Sequence, residues 1–270
     1  MFLKGGYMSL FGKKEEQTIL ESDIKRGLKK REFVFYYQPE FDLKTKKIIA
    51  VEALMRWNAP DGIIPPNEFV PVLEKSGLIK DVTEFLFRQT LTDLKTIQQA
   101  NCPDVVMAVN LSATQLQEKS LVPTIRKVLE ETKTEAKFLE CEITESQKLV
   151  LPEMRDTVFK ELADLGVAVS IDDFGTGYST FNYLRYLKNI GKLKMDCEFV
   201  RSLEEDARCK TILSAVIKMS HDLQVPVLAE GIETTEQKEW LEKNECDFGQ
   251  GFWFSRPLPL DQLITFIEKK

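Results

Sequence analysis

Nearly every short apolar run in this chain stops at a residue whose side chain carries charge or a carboxamide. The runs are Val34–Gln38, Ile48–Glu52, Val105–Asn110, Phe138–Glu142, Val167–Asp172, Lys192–Lys194, Val225–Glu230 and, more weakly, Cys246–Gln250. They end in Gln38, Glu52, Asn110, Glu142, Asp172 with Asp173 behind it, Lys194, Glu230 and Gln250. Glu52, Glu142, Asp172, Asp173 and Glu230, with the amide of Asn110, form an oxygen donor set without clustered histidine or cysteine. Such a set suits a hard cation, Mg²⁺ or Mn²⁺, rather than zinc. Two adjacent carboxylates, Asp172 and Asp173, repel each other until a cation, or two cations sharing a carboxylate, offsets the charge. Paired cations suit in-line displacement at phosphorus, because they activate water and neutralise both the attacking and the leaving oxygen. Lys194 then has two readings: it orients the water and stabilises developing negative charge, or it only forms an ion pair with a rim carboxylate. Arg56, four residues after Glu52, suits bidentate contact with a phosphate.

These residues need elements that bring them to one place. Leu20, Ile24 and Leu28 recur at helical spacing, as do Phe87, Leu91 and Leu94, and again Ile212, Val216 and Met219. Strand candidates alternating with such helices point to a closed α/β barrel, with an open doubly wound sheet as the alternative. In a barrel the carboxyl ends of the strands share one rim, where active sites of that architecture lie. The first two strands are joined by too few residues for a crossover helix, so they form an antiparallel pair. The glycines after Asp173, at Gly175 and Gly177, allow close backbone approach beside the acidic pair.

Composition narrows the partners. The chain has 270 residues, 43% hydrophobic and 30% charged, which suits a globular domain with a sizeable core. A net charge of −6 argues against polymeric nucleic acid, which requires a basic face. It leaves room for a small phosphorylated ligand, since a bound divalent cation reverses the local sign. Five cysteines without a C-x-x-C pair indicate neither a disulfide framework nor a zinc ribbon, and the reading is a reduced, cytoplasmic protein. No apolar run approaches the roughly 18 residues of a membrane span. Residues 1–16 read as a flexible tail and residues 17–270 as one barrel domain.

The ordered motifs resemble the EAL family of cyclic di-GMP phosphodiesterases. Glu52-Ala53-Leu54, with Arg56 and Trp57 behind it, resembles the family's signature. Asn110-Leu111-Ser112, Glu142-Ile143-Thr144-Glu145, the Asp172–Gly177 loop, Lys194-Met195-Asp196, Ala229 to Glu233 and Gln250-Gly251 follow in family order. The resemblance implies a modified TIM-type (β/α)8 barrel with an antiparallel first strand. It implies hydrolysis of cyclic di-GMP to linear pGpG with Mg²⁺ or Mn²⁺, two ions per site. Carried over by motif, the metal ligands are Glu52, Asn110, Glu142, Asp172, Asp173 and Glu230, and Lys194 acts on the attacking water. Glu145 holds the loop after Asp173, while Gln38, Arg56 and Gln250 face the nucleotide. The resemblance also implies a homodimer formed near that loop. The sequence is read without an attached sensory or cyclase domain, which leaves regulation to the tail, an interacting protein or dimerisation.

The chain departs from the family pattern in three places. Glu40 stands where an aliphatic residue is usual, the stretch Leu187–Lys194 is one residue longer and lacks its proline, and Met195 replaces isoleucine, a volume-conserving exchange. The lone histidine, His221, reads as a packed or capping residue in mid-helix, and Phe252, Trp253 and Phe254 read as barrel packing. The rival to an active enzyme is a silent cyclic di-GMP receptor that signals through a partner. A third reading is a barrel hydrolase of another phosphodiester.

Overall fold

The computed structural model describes residues 19–144, 152–175, 184 and 189–270. A helix α1 (Glu21–Lys29) leads into β1 (Phe33–Asp42), β2 (Ile48–Ala59) and a short β3 (Gly62–Ile64). Helices α2 (Pro66–Ser76) and α3 (Ile79–Gln99) precede β4 (Val106–Leu111). Then come α4 (Ala113–Leu116), α5 (Leu121–Thr132), β5 (Leu139–Thr144), α6 (Pro152–Leu165) and β6 (Ala168–Phe174). The remaining elements are β7 (Ile190–Met195), α7 (Cys197–Arg201), α8 (Ala207–Asp222), β8 (Val227–Ala229), α9 (Thr235–Lys243), β9 (Phe248–Gly249), β10 (Leu258–Pro259) and α10 (Leu260–Glu268).

Eight strands close in the order β1-β2-β4-β5-β6-β7-β8-β9 and back to β1. The pairs from β2–β4 round to β8–β9 are parallel, whereas β1 runs antiparallel to both β2 and β9. This is the expected barrel with a reversed first strand, and the doubly wound alternative falls. The reversal follows from the β1–β2 connection, where the Asp42 carboxylate accepts the N–H groups of Lys44 and Thr45 in a tight turn. Lys46 completes that turn at φ +62°. The strands β3 and β10, paired at the barrel's edge, are too short to have been marked by periodicity.

The core lies between strands and helices. On β1, Phe33, Phe35 and Tyr37 alternate outward, and Tyr37 donates a short hydrogen bond to Asp93 of α3. Leu86, Phe87, Leu91, Leu94 and Ile97 bury the inner stripe of α3 against β4 and α5. Each such side chain contributes roughly 1.5–3 kcal/mol by leaving water. On α8 the buried stripe is Cys209, Leu213, Ile217 and Ser220, which is one residue out of phase with the expected one; Ile212 is exposed. A separate cluster, in which Phe33 stacks on Trp57 at 5.4 Å, ties α1 and α2 to the ends of β1 and β2. Residues 1–16, assigned to a tail, lie outside the described residues.

Candidate active site

Strand alternation decides what faces the lumen. The register Gln38↔Glu52 and Glu40↔Ala50 puts these four side chains on one face of the β1–β2 ladder, opposite Tyr37 and Val51. The same period places Glu140 and Glu142 of β5, Ser170 and Asp172 of β6, and Lys192 and Lys194 of β7 inward. Their outward neighbours Cys141, Ile143, Val169, Ile171 and Leu193 pack in the core. Barrel interiors of this class are usually filled with branched aliphatic side chains. This one is charged at two levels.

The upper level centres on the fully buried Lys194. Its Nζ lies 2.9 Å from Glu142 Oε1 and 2.9 Å from Glu230 Oε1, and 3.5 Å from both Glu52 Oε2 and Asp172 Oδ1. Glu52 is clamped from two sides: Asn110 Nδ2 donates to Oε1 at 2.7 Å and Gln250 Nε2 to Oε2 at 2.9 Å. Burial works to raise the Glu52 pKa, but Lys194 and the two amides outweigh it and hold the carboxyl below its usual value. Glu142 has no such donors. Its one close polar neighbour among the described residues is the Lys194 ammonium at Oε1, and burial drives its pKa well up against the pull of Lys194. Glu230 and Asp172 are raised by burial as well.

Asp173 would point away from Asp172 if β6 continued regularly. It adopts φ +54° instead, a left-handed conformation that aspartate tolerates better than most residues. The turn aims the Asp173 N–H at Asp172 Oδ1, 3.0 Å away. It also lets Asp172, Asp173 and Glu230 each offer one oxygen within 4.8 Å of the others. Burial, then Asp172 and Asp196, push the Asp173 carboxyl up to about 7. Asp196 also caps α7 by accepting the Glu198 N–H at 2.7 Å.

The loops on this rim are locked by backbone contacts. Gln250 donates its N–H to the Ala229 carbonyl and accepts from the Ile232 N–H. Gly251 packs so closely that a Cβ there would lie 2.2 Å from the Ile232 carbonyl oxygen. Only glycine fits, and Gln250 is held in place as a result.

Residues 21–257 match the EAL domain family. The chain belongs to the EAL domain family. Over 263 residues it is 36% identical to the signaling protein YkoW of Bacillus subtilis, covering 97% of this chain and 33% of YkoW. Over 254 residues it is 35% identical to MucR of Pseudomonas aeruginosa, named a bifunctional diguanylate cyclase/cyclic di-GMP phosphodiesterase, covering 94% of this chain and 37% of that protein. The chain thus spans about a third of these curated relatives. It is also similar to the solved PaMucR phosphodiesterase in complex with c-di-GMP, at TM-score 0.84 and 36% identity, covering 90% of this chain and 98% of that one.

Within this EAL domain, Glu52, Asn110, Glu142, Asp172, Asp173, Lys194, Glu230 and Gln250 come together at one rim. The three expected nucleotide contacts each have a donor engaged within the protein. Gln38 lies mid-strand on the reversed β1, so register with Glu52 brings it to the rim, and its Nε2 donates to the Ser255 carbonyl at 3.1 Å. Gln250 is almost fully buried and aimed at Glu52, so its amide NH₂ is engaged within the protein. Arg56 shares the face of Glu52 further along β2, donates to the Met55 carbonyl and lies over the Tyr36 ring at 5.7 Å. Glu145 and the loop beyond Gly175 lie outside the described residues, as does the stretch from Leu187 to Lys188. His221 is exposed in the last turn of α8 rather than in mid-helix, 2.8 Å from Asp247 Oδ2. Phe254 stacks on Phe41 at 4.6 Å as expected of packing, while Phe252 and Trp253 are exposed.

The lower level was missed by sequence reading. Lys192 Nζ lies 2.6 Å from Glu40 Oε2 and 2.7 Å from Glu140 Oε1, all three being buried. The available signal was parity: a charged residue two positions before Gln38 in the ladder sense, and two before Glu142 and Lys194 along their strands, must share their face.

Proposed function

We propose that this EAL domain hydrolyses cyclic di-GMP to linear pGpG with two Mg²⁺ or Mn²⁺ ions held by Glu52, Asn110, Glu142, Asp172, Asp173 and Glu230. The observation that carries the reading is the charge of the upper level. Five carboxylates crowd around one ammonium, leaving four negative charges that two divalent cations would balance. Glu142, whose Oε2 is buried without a hydrogen-bond donor, and a compact Asp172–Asp173–Glu230 triangle supply the oxygen ligands hard cations take. The residues present therefore fit the ions. Bound there, such ions activate water and neutralise the scissile phosphate.

The chain's own groups do the rest. The Lys194 ammonium lies among all four inward carboxylates, where it orients the attacking water and offsets charge on the phosphorane oxygens. Asn110 Nδ2 is committed to Glu52, which leaves its carbonyl oxygen as the ligand atom. Arg56 contacts a phosphate or guanine from the rim, Gln38 lies beside Glu52 as a nucleotide contact, and Gln250 acts on the nucleotide through its grip on Glu52. Glu145 keeps the loop after Asp173 in place. Support for the substrate comes from MucR, named a cyclic di-GMP phosphodiesterase and solved with c-di-GMP. A homodimer is part of the proposal, as is a regulatory partner. Five cysteines without a disulfide suit the cytoplasm, and among the described residues no helix is long and apolar enough to cross a membrane.

The test is incubation of the purified chain with cyclic di-GMP and Mg²⁺ or Mn²⁺, followed by chromatography for pGpG. Binding without product under both metals would make the protein a receptor. Turnover of cyclic di-AMP or a nitrophenyl phosphodiester at equal rate would broaden the substrate.

A further inference from the structure

The lower charged level has no part in the reaction as described. Lys192 on β7 reaches Glu40 on β1 and Glu140 on β5, three strands that are not neighbours in the barrel. Each side chain lies one strand repeat, roughly 7 Å along the backbone, below an upper-level residue. Glu40 lies below Gln38, Glu140 below Glu142 and Lys192 below Lys194. The Lys192 N–H is taken by Ser170 Oγ at 2.9 Å where the β6–β7 register shifts, and Gly191 leaves the space that Glu140 Oε2 occupies. This trio is a built feature.

Stability alone does not account for it. Replacing a buried ion pair by apolar side chains of similar volume is commonly neutral or stabilising. Burial pushes the Glu40 carboxyl up against the pull of Lys192; with both carboxylates ionised the trio carries a net charge of one minus, in a medium that screens poorly. That charge reaches the upper level: Glu142 feels Glu40, Glu52 feels Lys192, and Glu40 feels Lys194.

We propose that Glu40, Glu140 and Lys192 form a charged floor that sets the cation affinity of the site above, with Glu40 and Lys192 as positioning residues of opposite sign. The inference rests on the metal reading of the upper level. Glu40 strengthens cation binding by its negative charge. Lys192 limits that binding while keeping two buried carboxylates from facing each other unpaired.

The experiment measures Mn²⁺ dissociation constants by calorimetry on the whole chain, with thermal unfolding recorded in parallel. Glu40→Gln neutralises the floor and is expected to weaken Mn²⁺ binding at least about tenfold, the lower bound for a unit charge at this range. Lys192→Met doubles the negative charge and is expected to tighten binding by a similar factor. The double variant Glu40→Gln/Lys192→Met restores a net charge of one minus and returns the constant to within about twofold of the starting value, the sum of two opposite single effects. Shifts of both single variants in the same direction, or a double variant whose affinity falls further, would overturn the floor as an electrostatic device. If Lys192→Met does not fold, Glu40→Gln decides alone, and an unchanged constant overturns the proposal. Failure of the unmodified chain to bind Mn²⁺ at all sinks the metal reading instead, and so is told apart.

Discussion

The two charged levels of the lumen each set a β7 lysine against glutamates, and they share β5 and β7, yet they are held differently. Above, Glu52 accepts two side-chain amides, Asp172 accepts a backbone N–H, and Lys194 is shared among four carboxylates. Below, one lysine is shared between two carboxylates, and Glu40 has that ammonium where Glu52 has two amides as well. The upper level has far more negative charge than it can neutralise internally, while the floor is nearly balanced. A site meant to receive cations is left short of positive charge. The floor keeps only a residual charge, through which it acts on that site.

Four experiments break or sharpen that contrast. The largest effect is expected from Glu52→Ala, which removes an upper-level oxygen and leaves Asn110 and Gln250 without their acceptor. Turnover of cyclic di-GMP should fall at least about a thousandfold, as for loss of a group that holds a catalytic metal. Thermal unfolding should move only a few degrees, and a near-normal rate would sink the assignment of the upper level. Lys194→Ala comes next, with an expected rate loss of roughly a hundred- to a thousandfold. Its Mn²⁺ affinity should be kept or tightened, because a competing ammonium is gone. Weakened affinity would instead make Lys194 only an ion-pair partner.

The third concerns pH. Asp173 sits at about 7 in the folded chain against an ordinary 3.8. A carboxyl raised on folding binds more protons folded than unfolded, so the metal-free protein should lose stability as pH rises from about 4 to about 7. Asp172, Glu142 and Glu230 shift the same way and Glu52 opposes them. Mn²⁺ should flatten or invert the slope, because it binds the ionised form. Melting curves with chelator and with Mn²⁺ give the answer, and a metal-free stability that rises over this range would contradict it. The smallest effect belongs to the floor's neutral support. Ser170→Ala strands the buried Lys192 N–H and should cost about 1–3 kcal/mol of stability, with the rate within twofold. A large rate loss would mean that the two levels are mechanically inseparable.

The upper level was legible because its residues end apolar runs, and a barrel gathers the ends of parallel strands. That logic failed for Gln38, whose strand is reversed and continues four residues to the opposite rim; only cross-strand register explains its place. The floor stayed hidden for the converse reason. Glu140 and Lys192 lie inside or at the start of runs, and Glu40 registered only as a departure from an aliphatic pattern. Pairing between β1, β5 and β7 depends on barrel closure, which no local pattern encodes. The phase of α8 slipped by one residue because Ile212 and Leu213 are both apolar, and packing against β8 selects between them. Asp173 could be seen as acidic but not as inward, since its left-handed turn breaks the alternation.

The reversed β1 also fixes where the polypeptide arrives. A strand that runs against its neighbours begins where they finish, so α1, Phe33 and the Trp57 cluster sit at the carboxylate-bearing end of the barrel. In an all-parallel barrel the first strand would start at the far end. Here α1 enters beside the rim that carries Glu52, and a force applied to α1 reaches the working face without travelling the length of the barrel.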